Sequence, residues 1–264
     1  MSIHFFTAAD QPYEEYVIPF LFSVLASNPD STAEICLGYP ADFLEAEPAG
    51  MSFLESNFSG RFVVRSFNQH YYGSTLPKKA ATFRFLELPT MKSDIIYISD
   101  IDILYTCKDI YRYEMRNLQR HEYCFNNILR PSMNRFTGSF GAKSEEYYTL
   151  LEPIIQQFFQ NPEPFLVEGS GDEHILFCLL NKAMATPKVP ASGAEHHLIR
   201  KIHGIHSSPN RKINGKPGWG VTDERIREYK QLKLHPLWDE WESLLTPNYR
   251  MKILRPLESF IADH

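Results

Sequence analysis

The sequence predicts an α/β layered domain. Three observations carry that prediction. Ile3–Thr7 (IHFFT) and Asp94–Ser99 (DIIYIS) are β-branched and aromatic runs of strand length. Stretches with helical spacing of apolar residues lie between such runs. No composition shift, repeat or low-complexity tract breaks the chain before about residue 220. Strands that alternate with helices pack as a sheet covered by helices, and 264 residues suffice to bury a large core.

In chain order, Ile3–Thr7 reads as a buried strand, followed by a loop at Ala8–Tyr13. Tyr16–Ser27 places Tyr16, Phe20 and Val24 on one helical face, and Asn28-Pro29-Asp30 ends that helix. Ala33–Leu37 and Phe62–Ser66 are strands, with a helical piece around Phe53–Phe58 between them. Ala80–Leu88 reads as a helix stopped by Pro89. Asp94–Ser99 is the best strand of the chain and runs straight into Asp100. Tyr123–Ile128 and Phe136–Ala142 read as further strands. Ser144–Gln160 is a helix with Ser144 at its N-cap and Glu145 and Glu146 in the first turn. Gly171–Asn181 is a shorter helix. Loops rich in Gly, Pro and Ser fill Thr186–Gly220, and Thr222–Leu245 is a charged amphipathic helical segment interrupted at Pro236. The reading divides the chain into a main domain over 1–220 and a helical C-terminal appendage over 221–264.

Composition narrows the function classes. A net charge of −5 argues against a nucleic-acid binder, which carries a basic excess. Cys36, Cys107, Cys124 and Cys178 form no CxxC pair and fit no zinc spacing, so they read as reduced thiols of a cytoplasmic protein. The opening MSIHFFTAAD has no basic n-region and is not read as a signal peptide. The longest apolar stretch, near Ile18–Ala26, is far short of the roughly 20 residues that span a bilayer. Membrane contact is therefore expected to be peripheral at most, at the inner face.

Two features point to chemistry. The first is Asp100-Ile101-Asp102, delivered by a buried strand at its carboxyl end, where open α/β sheets bind ligands. Two carboxylates with one residue between them can converge on one Mn²⁺ or Mg²⁺, and such ions bridge carboxylates and substrate phosphates. The plain alternative is a turn carrying two solvated aspartates. The second is the Gly/Pro-punctuated stretch from Lys201 to Trp219, with His203, His206, Arg211 and Lys212. Imidazole suits Mn²⁺ and the cations suit phosphate oxygens. The plain alternative is a solvated basic loop.

With these residues in view, the chain resembles glycosyltransferases of the GT-A fold, most closely the family-8 retaining enzymes. Four segments carry the resemblance, in the family's order and over roughly residues 3–220: Thr7-Ala8-Ala9-Asp10-Gln11-Pro12-Tyr13; Thr82-Phe83-Arg84 through Pro89 leading into Ile96–Leu104; Gly171-Asp172-Glu173-His174; and the loop of His206 and Lys212. The resemblance implies a Rossmann-like, mostly parallel sheet flanked by helices. It implies that Thr7, Ala8, Asp10 and Tyr13 hold the nucleobase and ribose. Arg84, Ser99, Asp100 and Ile101 then touch the donor, and Lys212 its diphosphate. Asp100, Asp102 and His206 hold Mn²⁺ (or Mg²⁺), His206 being preferred to His203 because Lys212 follows it at the family's spacing. Asp172 and Glu173 stand at the reacting sugar; their plain alternative is the preference of acids for a helix start.

The implied partners are a UDP-sugar donor, galactose or glucose by guess, and an oligosaccharide or lipid-linked acceptor of bacterial surface polysaccharide or lipopolysaccharide. Phe136-Thr137-Gly138-Ser139 replaces the family's Asn–small–Gly turn, and Glu173 stands where Gln is common. If the reaction inverts the anomeric centre, Asp172 or Glu173 is the general base; the resemblance favours retention. The rival classes are another metal-dependent phosphate enzyme, although no GxxxxGK or GxGxxG loop is present, and a non-catalytic sugar- or nucleotide-binding module.

Overall fold

The structure, a computed structural model, describes residues 2–67, 80–121, 124–128, 134–166, 171–184, 203–207, 212–213, 216–217 and 222–262. Its centre is a five-stranded sheet. β1 (Ile3–Ala9), β2 (Ser31–Leu37), β3 (Phe62–Ser66) and β4 (Ile95–Ile98) are parallel, and β6 (Phe140–Lys143) closes one edge antiparallel to β4, in the order β3-β2-β1-β4-β6. β5 (Ile103–Tyr105) lies outside this sheet and pairs antiparallel with β7 (Gly204–His206).

Helices cover both faces, which explains why the strands read as nearly unbroken apolar runs. Successive strand residues point to opposite faces. Phe5, Ile35, Ile95 and Tyr97 therefore pack on one side, against α1 (Val17–Ser27) and α3 (Pro48–Phe58). Phe6, Cys36, Ile96 and Ile98 pack on the other, against α5 (Ser144–Gln160) and α6 (Asp172–Ala183). The short α2 (Pro40–Ala46) precedes α3, and α4 (Ile110–His121) precedes β6.

The C-terminal helices join the first of these cores. The Trp241 ring stacks on Phe22 of α1 at 4.5 Å and 13°, and Trp238 lies edge-on to both Trp241 and Tyr229. The helical segment expected over Thr222–Leu245 is two helices, Asp223–Leu232 and Trp238–Leu244. Among the described residues no helix is long and apolar enough to cross a membrane. All four cysteines are free thiols.

Several local expectations give way to tertiary structure. β1 runs to Ala9 rather than ending at Thr7. The helix expected over Ala80–Leu88 is a 3₁₀ segment, Ala80–Phe85. Of the strand expected over Tyr123–Ile128, Tyr123 lies outside the described residues, and residues 124–128 carry a single bridge, from Phe125 to Ala142. The strand expected over Phe136–Ala142 begins only at Phe140. The backbone at 128 and 137 is instead held by a side chain: Asn127 Oδ1 accepts from the N–H groups of Ile128 and Thr137 and from the Thr137 hydroxyl. Ser144 is the first helical residue of α5 and not its cap. α2, α4, β5 and β7 are elements that the local pattern did not indicate.

One charged group is buried within the sheet itself. Glu34 of β2 is sealed from solvent. It accepts from Arg65 Nε at 2.7 Å, from Thr90 N–H at 2.8 Å and from Thr90 Oγ1 at 2.7 Å. Burial alone would raise its pKa, but the donors His4, Thr90 and Arg65 outweigh it and bring it down to about 2. Because the folded pKa is depressed, this group stabilises the fold above the unfolded value near 4.5 and loses that contribution as pH falls toward 2. At pH 7 the shift corresponds to about 3 kcal/mol. Urea denaturation across pH 7 to 2 is expected to show stability falling mainly below about pH 4.5. Glu34→Gln is expected to lower stability at pH 7 by about that 3 kcal/mol and to flatten this acid limb; an unchanged midpoint would remove Glu34 from the account.

Candidate metal and donor site

The site forms where β1 and β4 end side by side. Their parallel register pairs Phe6 with Ile98, so the residues that follow each strand emerge at one sheet edge. Ser99 N–H donates to Phe6 O at 3.0 Å, and the Thr7 hydroxyl donates to Ser99 O at 2.8 Å. Thr7 and Ala8 are buried within this junction, so they shape the edge from beneath. Ile101 points into the core.

β5 then positions the second carboxylate. Its Tyr105 N–H donates to Ser23 Oγ at 3.0 Å, its Tyr105 O accepts from Ser27 Oγ at 3.1 Å, and the Tyr105 hydroxyl meets Ser99 Oγ at 2.6 Å. Pairing with β7 sets Ile103 opposite His206, a contact across 103 residues of sequence. Ser207 seals the join by donating twice to Asp102 O, from N–H at 2.7 Å and from Oγ at 2.8 Å. A Cβ at Gly204 would lie 2.3 Å from Leu104 O, so the two strands approach this closely only over glycine.

Asp100, Asp102 and His206 thereby converge, with one ligand atom from each lying within 4.8 Å of the others. His206 Nε2 is 3.8 Å from Asp100 Oδ2, and its Nδ1 is 3.3 Å from Asp102 Oδ2. Two hard carboxylates and one imidazole over such a span fit a single divalent cation with bonds of about 2.1 Å. Burial works against charge on His206, but the two carboxylates prevail and its pKa rises to about 9. For Asp100, burial works upward and the Arg84 guanidinium and His206 downward, with the net result well below the usual carboxylate range.

His203 goes elsewhere. Three residues before His206 in extended chain, it faces the opposite side, where its Nε2 pairs with the buried Glu114 of α4 at 2.7 Å.

Arg84 braces the cluster from behind. Only 4% exposed, its guanidinium donates to Ser99 O at 3.0 Å, Asp100 Oδ1 at 2.5 Å and Asp172 Oδ2 at 2.8 Å. Ser139 Oγ donates to Asp100 Oδ2 at 3.0 Å and sits 3.0 Å from Asp100 N–H. Asp172 and Glu173 open α6. Asp172 is ion-paired to Arg84, and Glu173 accepts from Gly138 N–H at 3.1 Å. Asp10 precedes the 3₁₀ turn Gln11–Tyr16. Its carbonyl accepts from Tyr13 N–H at 2.8 Å, and its side chain makes no capping bond. The Tyr13 ring is 43% exposed and 5.9 Å from Tyr16. Lys212 lies in a two-residue strand, Lys212–Ile213, that pairs with Lys216–Pro217; its side chain and Arg211 lie outside the described residues.

The sequence pattern did not single out Ser139, Ser207 or the Ser23–Ser27 pair. Ser207 and Ser139 carry only adjacency as a signal: one follows His206, the other follows Gly138 in the loop that faces Asp100.

No family model matches the sequence, and no curated protein matches it. Solved glycosyltransferases are among the structures similar in fold. An active-site mutant of LgtC matches at 17% identity over 74% of this chain and 74% of that chain, with a TM-score of 0.49. The glycosyltransferase GlyE of Streptococcus pneumoniae TIGR4 matches at 12% identity over 98% of this chain, which spans 64% of that one, with a TM-score of 0.47. S. aureus TarS matches at 10% identity over 95% of this chain and 72% of that chain, with a TM-score of 0.43. These likenesses are distant in sequence and in backbone, and the functional reading is drawn from the side chains.

Gly138 is a tight point beside the carboxylates. A Cβ there would lie 2.5 Å from Arg84 Nη2 and 3.2 Å from Asp100 Oδ1. The guanidinium is buried between two carboxylates and has no free direction to retreat. Gly138→Ala is expected to lower stability by about 1–3 kcal/mol in chemical denaturation, whereas Ser139→Ala, which adds no atoms, should cost about 1 kcal/mol. Equal effects would mean that the space at Gly138 is not limiting.

Proposed function

We propose that the protein is a metal-dependent glycosyltransferase that moves a hexose, galactose or glucose, from a UDP-sugar to a hydroxyl of a glycan or lipid-linked acceptor. The observation that carries this reading is the convergence of Asp100, Asp102 and His206 at the carboxyl edge of a mostly parallel sheet. These three residues would hold Mn²⁺ or Mg²⁺, and such an ion supplies a Lewis acid that neutralises charge on a leaving diphosphate.

The chain's own groups do the remaining work. Arg84 keeps Asp100 ionised and oriented, so that the ligand set is preorganised. Asp10 accepts a uracil N–H, and the exposed Tyr13 ring offers a face for the base. Lys212 adds positive charge at the diphosphate. Ser99 and Ile101 hold the backbone of the tripeptide in place.

Asp172 and Glu173 face the reacting sugar. Each already has a partner on a carboxylate oxygen, Asp172 in Arg84 and Glu173 in the Gly138 N–H. That engagement supports retention, in which the leaving phosphate takes the acceptor proton, over inversion with Asp172 or Glu173 as general base. The reading extends to bacterial surface polysaccharide or lipopolysaccharide as the product, made on the cytoplasmic side of the membrane.

The test is a panel of UDP- and GDP-sugars with Mn²⁺, scored by release of the nucleoside diphosphate. Turnover is expected with a UDP-hexose, with loss on chelation and recovery on adding Mn²⁺. Asp102→Ala and His206→Ala should each lose activity by about a hundredfold or more, while folding as the parent does. Full activity in Asp102→Ala, or no binding of any nucleotide-sugar, sinks the reading. The anomeric configuration of the product, read by NMR, separates retention from inversion.

A further inference from the structure

The strand that carries the third metal ligand is very short. β7 has three residues, and β5 pairs with all of them. Gly204 lets the two strands close up, but a glycine removes a clash and adds no attraction. At the start of the strand a side chain supplies the hold. His203, directly before β7, is sealed from solvent, and its Nε2 meets Glu114 Oε1 at 2.7 Å. Its Nδ1 has no hydrogen-bond partner among the described residues, so Glu114 is the polar hold on the ring. The ring otherwise lies edge-on to Tyr97 of β4 at 5.6 Å and to Tyr113 of α4 at 4.9 Å. The His203 carbonyl accepts from Thr106 N–H at 3.2 Å and from Cys107 N–H at 3.1 Å.

Glu114 is fixed in turn. It lies in α4 and is buried. Asn126 Nδ2 donates to Glu114 Oε2 at 2.6 Å and to Glu114 O at 3.2 Å. Asn126 N–H donates to Gly141 O of β6 at 2.7 Å. A Cβ at Gly141 would lie 2.5 Å from Glu114 Oε2, so the carboxylate fills space that the sheet edge leaves open. One line of contacts therefore runs from β6 through Asn126, Glu114 and His203 to β7. His206 stands three residues further along the same extended chain.

Packing alone does not call for a carboxylate at this place. Taking it out of water is costly, and apolar side chains of similar size are often as stable there or more so. A buried polar pair supplies direction instead, because it fixes which atoms meet. The segment so fixed is the one that presents His206.

We infer that Glu114 is a positioning residue for the metal site: through its bond to His203 it fixes β7 against α4, and thereby sets where the His206 imidazole stands relative to Asp100 and Asp102. This role rests on the proposed function, in which His206 holds the cation. It makes α4 and the β6 edge, neither of which carries a ligand, determinants of metal affinity.

The experiment measures Mn²⁺ binding by titration calorimetry, and urea unfolding in parallel, for the full chain and for Glu114→Met, His203→Leu and the double variant. Each single variant leaves a buried polar group without its partner, so stability and Mn²⁺ affinity should both fall. In the double variant the two readouts should part. Its unfolding midpoint should return to the parent's or exceed it, as is common when apolar side chains replace a buried pair. Its Mn²⁺ affinity should stay about ten- to a hundredfold weaker, the loss typical when the support of a metal ligand is removed. In the ligand-free double variant, the amides of β7 should exchange hydrogen faster than in the parent, while those of α1 should not. A double variant that binds Mn²⁺ as tightly as the parent overturns the inference, because the pair is then structural only. Unchanged exchange in β7 overturns it as well. Should the double variant fail to fold, Glu114→Gln carries the test. It keeps the shape of the side chain but not the charge that strengthens the bond, so Mn²⁺ affinity should fall about three- to fivefold, and an unchanged affinity overturns the inference. Failure of the wild-type chain to bind Mn²⁺ instead overturns the metal role of Asp100, Asp102 and His206 on which the inference rests.

Discussion

The guanidinium of Arg84 is almost closed off from water, and it holds together segments that lie far apart in the sequence: the end of β4, the start of α6 and the glycine-containing loop before β6. A cation so placed is stable only while its carboxylates stay charged beside it. Asp100 and Asp172 meet that condition, and Arg84 in return keeps Asp100 in the form that offers oxygen lone pairs. Formally, one positive charge set against Asp100, Asp102 and Asp172 leaves two negative charges uncompensated. A divalent cation satisfies that balance. Without one, protonated His206 offsets part of it, which accounts for the upward pull on its imidazole.

The sheet does the rest of the positioning. Parallel strands deliver their carboxyl ends to one edge, so Asp10 after β1 and Asp100 after β4 emerge at the same edge of the sheet. The sheet itself is insulated by apolar packing on both faces. Glu34, the charged side chain sealed within β2, is fully supplied with donors.

The parts legible in the sequence were those that local chemistry decides. β4 is apolar throughout, and the acids follow it at once. α1 and α5 carry their apolar stripes over eleven and seventeen residues. What was not legible depends on the chain returning to itself. β5 and β7 are three residues each and exist because each supplies the other's hydrogen bonds. The choice between His203 and His206 follows from the same pairing, since an odd separation in extended chain sends them to opposite sides. The spacing of Ala80–Leu88 suggested an ordinary helix, but the segment tightens and turns Arg84 inward, where its partners come from residues 16 and 88 positions away. Phe136–Ser139 lacks a ladder because Phe136 N–H and Gly138 N–H are given to Glu173 instead.

A π-helical stretch, Arg250–Leu254, follows Tyr249, and it bears on how this chain tolerates changes of length. Hydrogen bonds that span five residues accommodate one residue more than an α-helical turn does. Losing an exposed residue of the stretch, such as Met251, would let it relax into regular α-helix with no side chain of the core deleted. The wider π turn spreads one more residue over nearly the same rotation as an α-helical turn, so the segments on either side would keep their phase, and Tyr249 its place against Tyr16. The surplus residue therefore marks a point where the chain can shorten by one without disturbing the packing before or after it.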